Sequence, residues 1–200
     1  MKRARLTTTL LVAGTLWSCG GDTSGPGTTE TTAQVTDPTG DTYGSGAVHW
    51  DLTAMTITRD ADGITLMLDF SNSVISPTSG DTTAVIGYVG FDVDQDSTTA
   101  DLASIVDEFR PGTGSTGLGV DYEIELVDYA QDSTVTVTGS GGTTGWVKPV
   151  FSGNRVTVRI PRALLGNDDG FLNAAAIVGN NHSPNDIIPE NGHLQVSAPR

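Results

Sequence analysis

The chain reads as an all-β protein: a single antiparallel β-sandwich of about eight strands with one short helix. Two observations predict this. From Val35 onward, short apolar alternations recur between clusters of Gly, Asn, Asp and Pro, the pattern of sandwich strands separated by turns. Helical spacing of apolar residues shows clearly in one short stretch only.

The elements follow in order. Leu52–Arg59 and Ile64–Phe70 flank Asp60-Ala61-Asp62-Gly63, a hairpin turn in which Asp-Gly suits positive φ. Ile64, Leu66, Leu68 and Phe70 point to one face, and Thr65, Met67 and Asp69 to the other. Ala84–Val93 is apolar on both faces and predicts a central strand. Leu102, Ile105, Val106 and Phe109 fall at i, i+3, i+4 and i+7, one face of a short helix. Thr99 or Asp101 is placed to cap its start, and Arg110-Pro111-Gly112 to end it. Tyr122, Ile124 and Leu126 alternate with Glu123 and Glu125, a strand with one wet face. Val135–Thr138 follows. Trp146–Phe151 and Arg155–Ile160 form a second hairpin, Pro161–Leu165 one helical turn stopped at Gly166, and Ala174–Gly179 and Leu194–Val196 the last strands.

Ahead of the sandwich lie two segments of other character. Residues 1–18 have a basic start (Lys2, Arg3, Arg5) and a short apolar and threonine-rich stretch ending in Leu16-Trp17-Ser18, directly before Cys19, the single cysteine. This is the layout of a secretory signal, too short to span a bilayer. Leu16 three residues before Cys19, with Ser18 beside it, resembles the lipobox of bacterial lipoproteins. The resemblance implies lipidation of Cys19 and anchoring in a membrane; Gly20 resembles the class exported onward to the outer membrane or cell surface. Residues 19–35, rich in Gly, Thr and Ser, read as a flexible tether, and residues 36–200 as the sandwich domain.

Cutting before Cys19 leaves 182 residues with seven basic and 24 acidic side chains, a formal charge of −17 against −14 for the whole chain. Such a surface excludes nucleic acid, whose phosphates need Lys and Arg. It makes divalent cations natural partners. With Cys19 lipidated no disulfide can form, so stability must come from a core.

Asp37-Pro38-Thr39-Gly40-Asp41, Asp51-Leu52, Phe91-Asp92-Val93-Asp94-Gln95-Asp96, Gly119-Val120-Asp121-Tyr122, Gly153-Asn154-Arg155 leading into Val156–Pro161, and Leu165-Gly166 occur in this order. The series resembles the β-sandwich domains related to family 9 carbohydrate-binding modules and the wider DOMON-like group. The resemblance implies a non-catalytic sandwich, calcium-stabilised in some members, in which aromatic side chains stack on sugar.

Candidate sites follow from residue chemistry. Asp92, Asp94 and Asp96 lie two apart, so an extended strand would put their carboxylates on one face. Calcium wants six to eight oxygens of this kind. The same three can instead cap a turn and helix start. Asp37, Asp41 and the Asn167-Asp168-Asp169-Gly170 turn are second choices for the cation. Trp50 and Trp146 are the candidate sugar platforms, with Tyr43, Tyr88 and Tyr129 as further aromatics; core packing is the competing role for a tryptophan. Gly112–Gly117 matches G-x-G-x-x-G without the strand before and helix after that dinucleotide binding needs. His182, Asp186 and His193 fit no common zinc spacing. No G-x-S-x-G elbow is present.

The sequence therefore predicts a non-enzymatic, membrane-anchored exported lipoprotein binding carbohydrate or another extracytoplasmic ligand. A calcium-stabilised structural or adhesive surface protein, and a hydrolase built on an unrecognised carboxylate pair, are the alternatives.

Overall fold

Strands Thr31–Thr36 (β1), Leu52–Asp60 (β2), Gly63–Phe70 (β3), Ile86–Asp92 (β4), Tyr122–Glu125 (β5), Val135–Gly139 (β6), Gly142–Val147 (β7), Pro149–Ser152 (β8), Arg155–Pro161 (β9), Leu172–Asn180 (β10), Ser183–Ile188 (β11) and Leu194–Val196 (β12) build two antiparallel sheets. The computed structural model describes residues 30–77, 81–126, 134–166, 170–181 and 183–199. One sheet runs β1-β2-β3-β9-β8, the other β11-β10-β4-β5-β6-β7, with β12 also paired to β10. The all-β sandwich is as predicted, with twelve strands instead of about eight.

The inner faces carry the core. Ile64, Leu66, Leu68 and Phe70 of β3 meet Val89 and Phe91 of β4, Ile124 of β5 and Val156, Val158 and Ile160 of β9, all buried. In β2, Leu52 and Met55 are three residues apart yet both face inward. A bulge between Leu52 and Ala54 makes this possible: Leu52 pairs with Phe70, Ala54 with outward-facing Asp69, and Met55 with Leu68. The β2–β3 turn behaves as its sequence suggests. Asp60 Oδ1 accepts from the backbone N–H of Asp62 and Gly63 at 2.8 and 3.1 Å. A Cβ at Gly63 would lie 2.1 Å from the Ile160 carbonyl oxygen, so only glycine fits there.

The outer face of the second sheet is also covered. Ala175 and Ile177 of β10 and Ile187 of β11 pack with Val106, Leu118 and Val120, so β10 is buried along its whole length. Val106 belongs to a single helical turn, α1 (Ile105–Glu108), capped by Ser104, whose Oγ accepts from Asp107 N at 3.1 Å. The cap is thus Ser104, not Thr99 or Asp101, and Leu102 precedes the helix. The turn after β9 is a 3-10 helix, Arg162–Leu165, ended by Gly166 at φ +66°, as expected.

Two expectations are corrected in detail. Trp146–Phe151 is not one strand: β7 ends at Val147 in one sheet and β8 starts at Pro149 in the other. Pro149, lacking an N–H, is tolerated at the first position of an edge strand, and Lys148 carries the crossing. The strand order begins at Thr31, inside the segment read as tether; β1 alternates half-buried and exposed residues along the edge of its sheet. Cys19, the signal segment and most of the tether lie outside the described residues.

Candidate functional site: two carboxylate groups

The first group gathers around β11. The chain leaves β1 at Asp37, whose N–H bonds the Thr53 carbonyl at 3.0 Å, and turns through Pro38-Thr39-Gly40. Gly40 takes φ +87°, and its N–H points at both oxygens of Asp51, at 3.2 and 3.1 Å. Asp51 immediately precedes β2. Its neighbour across the sandwich is Asp186 of β11, fully buried. Asp186 accepts from Leu52 N at 2.6 Å and from Ile187 N at 2.8 Å.

Asn185 holds these segments together. Its side-chain oxygen accepts from Trp50 N and Asn180 Nδ2 at 3.3 and 3.2 Å, and its Nδ2 donates to the Tyr43 carbonyl at 3.3 Å. The result is two overlapping triads, Asp37/Asp41/Glu190 and Asp41/Asp51/Asp186, each with a carboxylate oxygen from every member within 4.8 Å of the others.

The electrostatics match this crowding. Burial, then the charges of Asp41, Glu190 and Asp51, push the Asp37 carboxyl up to about 7. Burial raises Asp186 to about 8 against the opposing pull of its two backbone hydrogen bonds, with Asp37 and Asp41 adding to the rise. Tyr43 is pushed up to about 12 by burial and by Asp186 and Glu190, opposed by Arg110. Asp37 Oδ2 has no hydrogen-bond partner among the described residues.

The second group sits at the junction of β4 and β5. Asp92 ends β4 and is 1% exposed; Asp121 directly precedes β5 and is 7% exposed. They become neighbours because Phe91 pairs with Tyr122. Asp121 Oδ2 accepts from Val93 N at 2.8 Å, and burial raises its carboxyl above the ordinary aspartate range, with Asp94 and Asp92 contributing. Asp94 is exposed and completes a triad with Asp92 and Asp121, oxygens within 4.8 Å.

Asp96 is not part of the triad. β4 ends at Asp92, and Gln95 adopts a left-handed φ of +57°, so strand alternation does not continue to Asp96. Asp96 Oδ1 instead accepts from Thr98 N and Oγ1 at 2.9 and 2.6 Å, which holds its carboxyl below the ordinary range. Asp121 takes the place expected of Asp96. Its only sequence signal was the Gly119–Tyr122 motif, and the strand register that brings it to Asp92 is not readable from spacing.

No protein-family profile and no curated protein matches this chain.

The remaining candidates separate clearly. Trp50 is 8% exposed; its indole N–H bonds the Thr83 carbonyl at 3.1 Å, and its ring packs edge-on to Phe70 with centroids 6.0 Å apart. It is a core residue and cannot stack on a sugar. Trp146, on edge strand β7, is 67% exposed. Asp186 faces the carboxylates, while His193 Nδ1 lies 2.8 Å from the Thr116 carbonyl. His182, Tyr129 and Asn167–Asp169 lie outside the described residues. In the glycine-rich loop, Thr116 N and Oγ1 donate to Asp107, each at 2.7 Å, so the loop is tied to α1 by its own carboxylate.

Proposed function

We propose that the chain is an exported, lipid-anchored, non-catalytic β-sandwich that serves at the cell envelope as a calcium-stabilised structural or adhesive protein. One observation carries this reading: Asp37, Asp41, Asp51, Asp186 and Glu190 gather with their oxygens within 4.8 Å in two triads that share Asp41. Oxygens this close can share one ion whose bonds run about 2.4 Å, and a hard divalent cation takes six to eight of them. Asp41 would serve in either triad, with Asp37 and Glu190 completing one set of ligands and Asp51 and Asp186 the other. The ion would neutralise carboxyls that burial otherwise pushes toward protonation, and it would clamp the β1–β2 connection to β11.

The apolar cavity on the second sheet, about 200 Å³ and lined by Ile86, Tyr88, Phe109, Ile177 and Pro184, contains none of the raised carboxyls. Export and anchoring rest on the Cys19 signal; Cys19→Ala should move the chain from the membrane to the soluble fraction.

The test is thermal melting of the full chain in detergent, with calcium and with chelator. An ion at 100 times its Kd contributes about 2.7 kcal/mol, which for a domain of this size raises the midpoint by roughly 5–10 °C. Identical midpoints, with no metal by elemental analysis, would contradict the reading.

A second reading, carbohydrate binding, rests on Trp146, whose ring is 67% exposed on an edge strand and free to stack on pyranose C–H groups. It predicts that Trp146→Ala abolishes binding to any glycan the chain retains on an array. Full retention would remove it.

A further inference from the structure

Asp92 is buried in a way that its protein neighbours do not account for. It is 1% exposed. Its Oδ2 receives two long hydrogen bonds, from Gly119 N at 3.3 Å and Asn173 Nδ2 at 3.4 Å. Its Oδ1 is buried with no hydrogen-bond partner among the described residues. A carboxylate removed from water needs donors or a positive charge for both oxygens. Among the described residues, the carboxylates that meet Asp92 are Asp94 and Asp121, with oxygens within 4.8 Å, and both are negative. None of the three joins the ion pairs Arg110–Asp107, Arg155–Asp69 or Arg159–Asp60.

We propose that Asp92, Asp94 and Asp121 form a second divalent-cation site, of calcium's chemistry, independent of the group beside β11. Asp92 supplies the buried oxygen that lacks a donor. Asp121 stands opposite, directly before the neighbouring strand, and exposed Asp94 completes the site on its solvent side, where the ion enters. Backbone carbonyls and water complete the six to eight oxygens such an ion takes.

The two sites are well separated. Asp92 pairs with Asn173 and Asp186 with Val178 along β10, a five-residue offset of roughly 17 Å by strand rise. An ion here would fix the start of the connection from β4 to β5, including the turn around Asp96. Asp96 belongs to that turn without being a ligand.

The experiment is equilibrium dialysis of the full chain, chelator-stripped and held in detergent, against calcium chloride at about 1 mM, within the affinity range of extracellular modules. The wild type should bind two ions per chain. Asp94→Asn, at an exposed position that cannot unsettle the core, should lose one of them, as should Asp121→Asn, while Asp96→Asn should keep both. Asp41→Asn should remove the other ion, the one beside β11. If Asp94→Asn and Asp121→Asn keep the wild-type stoichiometry, this proposal is overturned, whatever Asp41→Asn does. If Asp41→Asn alone is silent, the β11 site fails and this one stands.

Discussion

The carboxylates beside β11 and those at the β4–β5 junction contain similar residues and are built on opposite plans. In the first group the most deeply buried member, Asp186, has a backbone N–H for each oxygen. In the second, the most deeply buried member, Asp92, has one oxygen without a donor among the described residues. The first group is drawn from positions 37 to 190 and ties remote segments together. The second comes from the end of β4, the residues just after it and the residue just before β5, the strand paired to it. A buried carboxylate can therefore be an acceptor the fold needs even with no ion bound, or one whose burial only an ion accounts for. The two kinds should respond differently to substitution, to pH and to calcium.

The largest difference should appear on deleting a carboxylate without calcium present. Asp186→Ala leaves the N–H groups of Leu52 and Ile187 buried and unpaired, at about 1–3 kcal/mol each. Urea denaturation in chelator should show roughly 2–5 kcal/mol lost. Asp94→Ala, at the exposed edge of the second group, should cost under about 1 kcal/mol under the same conditions. Equal losses would erase the distinction.

The pH dependence is intermediate in size. With the ion removed, Asp186 and Asp37 titrate near 8 and 7, against about 4 in the unfolded chain. Between these values the native state holds more protons than the unfolded one, so stability falls as pH rises from about 4 to about 8. Calcium favours the ionised form and should flatten or reverse that slope. Its increment to the melting midpoint should be smallest at pH 5 and largest at pH 8. A chelated midpoint that climbs from pH 5 to pH 8 would show that burial does not govern these groups.

The smallest effect is a change of sign at Asp41. This exposed residue stands among like charges, so Asp41→Asn in chelator should raise stability by roughly a few tenths of a kcal/mol. In calcium the same substitution should lower the midpoint. Melting curves in the two buffers would show the crossing.

Much of the fold was legible because strand alternation, Asp-Gly turns and one helical turn are local signals. β11 was not. Its residues Ser183, Pro184, Asn185 and Asp186 carry no apolar alternation to mark a strand. They form a strand because Asn185 and Asp186 satisfy the backbone of Trp50 and Leu52 across the sandwich, a tertiary requirement. β1 was hidden by a threonine-rich edge sequence. At the site, Asp92 and Asp94 were visible from their spacing. Asp121 enters through the pairing of Phe91 with Tyr122, and Trp50 leaves because its ring fills the core. Aromatic content alone could not separate it from Trp146.

The most direct measurement is a crystal structure of the chain grown in calcium, with anomalous difference density collected at long wavelength. Two peaks are expected, one among Asp37, Asp41, Asp51, Asp186 and Glu190, the other between Asp92, Asp94 and Asp121 with Asp96 outside it. A map with no peak at either group would contradict the account.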